Sequence, residues 1–119
     1  MLQKRIRSFS YAWKGVALAW REEENFRIEL ALGLLAVLAG LLFKISFTEW
    51  LVLVVVSGLV LTAEIFNTAL EELCDMYRPM HDPHVGKIKD LSAGATLVAS
   101  GTAFIVGLII FVPHVWALV

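Results

Sequence analysis

The sequence predicts an all-α membrane protein: three transmembrane helices behind an N-terminal amphipathic helix at the membrane surface. Three observations lead there. Of 119 residues, 59% are hydrophobic and mean hydropathy is +0.76, against about 45–50% apolar residues in a soluble domain. The apolar residues gather in long runs, as membrane spans require. Charged residues gather between those runs, at places where helices can meet the membrane surface. A net charge of −1 gives no support to a nucleic-acid partner. The single cysteine, Cys74, excludes an intramolecular disulfide and a cysteine metal cluster. The first 27 residues are charged throughout and lack the apolar core of a signal peptide.

Residues 2–21 read as the surface helix. Leu2, Ile6, Phe9, Trp13, Val16, Ala17 and Trp20 recur at helical spacing, with Lys4, Arg7, Lys14 and Arg21 on other faces. Tyr11 falls on the polar face, either as an exposed interfacial tyrosine or as a partner for a ligand. Residues 22–29 form a dense charged junction leading into the first span, residues 28–47. Arg27 and Lys44 can snorkel from that span's ends. Residues 46–49 suggest a tight turn with Thr48 as helix cap. The second span, 50–75, starts apolar and ends in carboxylates. A polar loop over 77–88 contains Pro79 and Pro83, which oppose helix. The third span, 91–112, has no charged residue, and Pro113 is expected to end it. Its small residues Ala95, Ala99, Ala103 and Gly107 recur every four positions, which permits close helix approach. One domain, 1–119, accounts for the chain.

The basic residues set the expected orientation. Lys4, Arg5, Arg7, Lys14, Arg21 and Arg27 precede span one, and Arg78, Lys87 and Lys89 lie between spans two and three. Lys44 alone lies between spans one and two. The positive-inside rule then puts the N-terminus and the second loop in the cytoplasm and the C-terminus outside. The carboxylate end of span two, the acidic junction and Lys89-Asp90 therefore share the cytoplasmic side.

Glu64, Asn67, Thr68, Glu71 and Asp75 share one face of the second span. Glu64 lies about 16 Å along the axis from Asp75, well inside an apolar segment. An ionisable group there faces a bundle interior or a watery cavity and is read as functional. Glu64 and Glu71 are about 10.5 Å apart along the axis, which suits separate tasks. Glu71, nearer water, can hold a divalent metal together with a junction carboxylate and phosphate oxygens. Glu64, deeper, suits general-base work on a hydroxyl presented at membrane depth. The competing reading makes Glu64 and Asn67 interhelical hydrogen-bonding groups in a non-enzymatic transporter subunit or scaffold. No P-loop is present: Gly86-Lys87-Ile88 lacks a preceding glycine-rich run. His81 and His84 have a metal-like spacing, but read as polar loop residues. Cys74 reads as a small buried hydrophobe.

The segment Glu64-Ile65-Phe66-Asn67-Thr68-Ala69-Leu70-Glu71, followed by Asp75, resembles the E-x-x-N-[ST]-A-[IL]-E-x-x-x-D signature of the prokaryotic diacylglycerol kinase and undecaprenol kinase family. Lys89-Asp90 with Ala93-Gly94-Ala95 resembles the start of that family's last span. Tyr11-Ala12-Trp13-Lys14-Gly15 and Glu23-Glu24-Asn25-Phe26-Arg27 resemble its surface-helix and junction motifs. The likeness covers the chain from Tyr11 to Pro113.

This resemblance implies a homotrimer, with sites completed between subunits, that phosphorylates a membrane lipid alcohol with ATP and Mg²⁺. By the same resemblance, Glu64 would be the general base and Glu23 and Glu71 would hold the metal. Tyr11, Glu23, Glu71, His81, Asp82, Lys89 and Asp90 would serve the nucleotide. Lys4 stands where the family can have an arginine. Asn67 and Asp75 would support the site, and Trp13, Arg27 and Glu29 would meet the lipid substrate. Glu29 has a second option, pairing with Arg27. Ala93 departs from the serine of one diacylglycerol kinase branch. Asn25, Thr68, Pro83, Gly94 and the ending Gly107-Leu108-Ile109-Ile110-Phe111-Val112-Pro113 look more like the undecaprenol kinase branch, so the resemblance favours undecaprenol over diacylglycerol. The expected location is the bacterial cytoplasmic membrane.

Overall fold

A computed structural model describes residues 1–77 and 82–119. Among the described residues there are four helices: α1 (Leu2–Glu22), α2 (Glu24–Phe43), α3 (Phe47–Tyr77) and α4 (Pro83–Trp116). The last three are each long and apolar enough to cross a membrane. α3 and α4 share the most extensive interface, α2 packs mainly on α3, and α1 touches α2 and α3.

Charge does not break the chain at the junction as a whole; a single residue does. Glu23 takes extended backbone angles between two otherwise continuous helices. Arg27 secures the corner. Its Nη1 donates to the carbonyl oxygens of Trp20 at 2.9 Å and Arg21 at 3.1 Å, two of the acceptors that the end of α1 leaves without helical partners.

Ser46, and not Thr48, caps α3. The Glu49 backbone N–H donates to Ser46 Oγ (3.2 Å), and the Ser46 N–H donates to Glu49 Oε1 (2.9 Å). That reciprocal pair is a capping box, in which the acidic residue sits three positions after the serine. Pro83 does not oppose helix; it opens α4. At the first helical position proline loses no helical hydrogen bond, and Asp82 accepts from the His84 N–H at 2.8 Å to cap the start. Pro113 does not end α4, which runs on to Trp116. So near the end of a helix, proline forfeits one backbone bond, and the final turn is tied to α3 by His114 Nε2 and Glu49 Oε2 at 3.3 Å.

The apolar core lies at the Glu49–His114 end of the bundle. Ile45, Leu53 and Ile110 are buried there, with Ala36, Phe43, Trp50, Val106 and Phe111 packed around them. Gly40 makes this possible. A Cβ at that position would lie 2.7 Å from Trp50 Cη2 and 2.9 Å from Cζ2, so the indole seats against bare backbone. This packed end leaves the opposite end of α3, with its carboxylates, to the site.

Candidate active site

Leu53, Val56, Val60 and Glu64 are buried in succession along α3. Their spacing of three or four residues defines one helix face. The register that turns three apolar residues inward therefore turns Glu64 inward as well, leaving it 6% exposed. No described residue donates a hydrogen bond to its carboxylate; Thr68 Oγ1 donates to the Glu64 backbone oxygen at 3.0 Å.

One and two turns further along α3, the site becomes more polar. Asn67 Nδ2 donates to Glu71 Oε1 at 3.4 Å. Asn67 Oδ1 is buried and has no hydrogen-bond partner among the described residues. An unpaired buried acceptor costs about 1–3 kcal/mol, so it marks a place for an incoming ligand group. Glu23 feels Glu71 across the corner between α1 and α2. Burial holds the Glu23 carboxyl above the ordinary carboxylate range, and the negative charges of Glu71, Glu22 and Glu72 push it the same way.

Asp75 and Lys89 form the polar rim. Lys89 Nζ lies 2.6 Å from Asp75 Oδ1, joining the end of α3 to the start of α4. Asp75, expected to support the site, is ion-paired with Lys89. Asp90 is exposed and borders an open groove on α4 with Pro83, Gly86, Lys87 and Leu91.

Other expected site residues stand apart from this cluster. Lys4, Tyr11 and Trp13 are exposed on α1, with no side-chain hydrogen bond or ion pair to these carboxylates among the described residues. Lys14 Nζ sits 5.4 Å from the Tyr11 ring centroid, within cation–π range. Asp82 caps α4, and Arg27 caps α1. Glu29 does not pair with Arg27; it accepts a hydrogen bond from Ser100 Oγ at 3.3 Å. His81 lies outside the described residues. Cys74 is buried in the manner of a small apolar residue. Sequence reasoning missed Ser100, one of four hydroxyl residues (Ser92, Thr96, Ser100 and Thr102) in an uncharged span, with no pattern that singles it out.

Among the described residues no group of three or more His, Cys, Asp or Glu side chains forms a metal cage. Mg²⁺ does not require one: it is usually held by one or two carboxylates together with substrate phosphates and water. Crowded carboxylates at Glu23 and Glu71, beside the unpaired amide oxygen of Asn67, are hard oxygen donors that fit such an ion.

The sequence matches the family described as prokaryotic diacylglycerol kinase over residues 10–111. The chain belongs to that family. It is 32% identical over 112 residues to a protein named undecaprenol kinase from Bacillus subtilis, covering 94% of this chain and 91% of that protein. It is 38% identical over 112 residues to a diacylglycerol kinase from Synechocystis, covering 93% of this chain and 64% of the relative. A diacylglycerol kinase from Escherichia coli K12 is 31% identical over 109 residues, covering 92% and 89%. The relatives carry the names of lipid kinases.

Proposed function

We propose that this protein transfers the γ-phosphoryl group of ATP to the hydroxyl of a membrane lipid alcohol, with undecaprenol favoured over diacylglycerol. The observation that carries this reading is a buried glutamate, Glu64, on a membrane-length helix whose next two turns carry Asn67 and Glu71, in a chain of this kinase family. Phosphoryl transfer needs chiefly positioning and charge stabilisation. The divisions of the stripe supply both.

Glu64 has a carboxylate without a hydrogen-bond donor among the described residues and sits at the depth where a lipid hydroxyl arrives. It accepts that hydroxyl's proton as the oxygen attacks phosphorus, a general-base role. Glu23 and Glu71 would hold Mg²⁺, which supplies charge neutralisation at the phosphates. Asn67 orients Glu71 through its Nδ2 and offers its unpaired Oδ1 to the same region. Lys89, held by Asp75, and Asp90 face the nucleotide side. Tyr11, Lys4, His81 and Asp82 remain nucleotide contacts by family likeness, and Trp13 a lipid contact.

The basic residues before α2 and between α3 and α4 support a cytoplasmic N-terminus and an outer C-terminus in a bacterial membrane. The exposed Leu2, Ile6, Phe9 and Trp13 support α1 lying in the membrane surface. A homotrimer, with the site of one chain completed by another, follows from family likeness. The preference for undecaprenol rests on the features shared with that branch, Asn25, Thr68, Pro83 and Gly94 among them, and on the Bacillus relative.

The test is a purified-protein assay with γ-labelled ATP and vesicles carrying undecaprenol or diacylglycerol side by side. Mg²⁺-dependent label in extracted undecaprenol, exceeding that in diacylglycerol, is the expected result. No transfer to either lipid would refute the proposal and revive a non-enzymatic role for Glu64.

A further inference from the structure

Ser100 makes the one side-chain hydrogen bond that joins α2 to α4 among the described residues, donating from Oγ to Glu29 Oε1 at 3.3 Å. Its hydroxyl had an easier choice. A serine or threonine in a helix usually satisfies itself on a carbonyl one turn back. Thr96 and Thr102, its neighbours on α4, do this with Ala93 and Val98, each at 2.8 Å. Ser100 instead reaches across to another helix, to a carboxylate.

By family likeness, that carboxylate belongs to a contact of the lipid substrate. A glutamate side chain has several rotamers open to it, and a donor on another helix removes that freedom and offsets part of the charge on Glu29. We propose that Ser100 is a positioning residue for the lipid-alcohol end of the site. Its hydroxyl fixes the Glu29 carboxylate in one place between α2 and α4, so that the lipid alcohol meets a fixed acceptor. The functional part of this inference rests on the lipid kinase reading; the positioning part does not.

The experiment compares Ser100→Ala with Ser100→Thr, which keeps the hydroxyl, in full-length protein in vesicles. For Ser100→Ala, KM for the lipid alcohol rises about tenfold, the scale of a lost hydrogen bond to a charged group. KM for ATP and the unfolding temperature stay at wild-type values, and Ser100→Thr restores the lipid KM. A second readout needs no turnover. The infrared carboxyl band that disappears in Glu29→Gln shifts in Ser100→Ala and returns in Ser100→Thr. An unshifted band, or equal lipid KM in the wild type and Ser100→Ala, overturns the inference, as do equal losses in the Ala and Thr variants. A wild-type protein that transfers no phosphate to any lipid defeats the kinase reading instead, and the infrared band still decides the positioning role.

Discussion

Replacing Gly40 by alanine tests the packing that frees the other end of α3 for chemistry. The new Cβ would meet Trp50 Cη2 at 2.7 Å, Trp50 Cζ2 at 2.9 Å and Ile45 Cδ1 at 3.0 Å. Carbon atoms in contact sit about 3.5–4.0 Å apart, so the indole must retreat by roughly 1 Å. The Ile45 methyl is a flexible tip and can yield. The indole is a rigid plate wedged beside Ile45 and Leu53, and moving it opens the cluster around Ile110. Such overpacking costs about 1–3 kcal/mol. Alanine is also a better helix former than glycine by about 1 kcal/mol, which offsets part of the loss. Gly33, in the same helix, meets nothing within 4 Å, so Gly33→Ala carries the propensity gain without the clash. The difference between the two variants isolates the packing cost, expected at about 1–3 kcal/mol. Circular dichroism during denaturation in detergent micelles measures it, and the emission of the tryptophans follows the indole. Gly40→Ala as stable as Gly33→Ala would refute the seating of Trp50 on α2.

Other predictions concern the carboxylates. Glu23→Ala and Glu71→Ala should each raise the Mg²⁺ concentration needed for half-maximal transfer; an unchanged magnesium titration would remove both as ligands. Because the Glu23 carboxyl is held above its ordinary value of 4.5, a proton competes with the metal at higher pH than for an exposed glutamate. The Mg²⁺ requirement of the wild type should therefore climb on acidification, and should climb less in Glu23→Gln. Stability carries the same sign. A raised folded-state pKa means that the ionised carboxyl destabilises the fold at neutral pH, and that stability returns as pH falls through the folded value toward the unfolded one. Glu23→Gln should thus melt higher than wild type near pH 7, with the gap closing on acidification; a pH-independent gap would contradict the cause assigned to Glu23.

The fold class was legible because membrane spans announce themselves through length and composition alone. That Glu64, Asn67, Glu71 and Asp75 share one face of the second span was legible from helical spacing alone; that Glu64 is buried came with the structure, in register with Leu53, Val56 and Val60. Helix ends were harder. Thr48 was expected as the cap, and the reciprocal bonds between Ser46 and Glu49 show that Ser46 is the cap instead. Pro83 and Pro113 looked alike as helix breakers, yet one opens α4 and the other rides in its last turns, because the effect of a proline depends on where in a helix it falls. Contacts between distant segments were not legible at all. Nothing in the spacing of Ser100 and Glu29, or of Asp75 and Lys89, says that they meet; helix packing determines that. Arg27 could equally have paired with Glu29 or closed the end of α1, and the sharp corner at Glu23 selects the second.

The central claim is that Glu64 is the base of a lipid kinase, and Glu64→Gln tests it most directly. Glutamine keeps the shape of the buried side chain and removes no hydrogen bond accepted from a described residue, so the variant should fold as the wild type does. The measurement pairs the rate of phosphoryl transfer to undecaprenol with the affinity for Mg·ATP in the same preparation. A fall in kcat of about 10²–10⁴-fold with nucleotide affinity retained is the predicted result. Transfer at the wild-type rate by Glu64→Gln would contradict it.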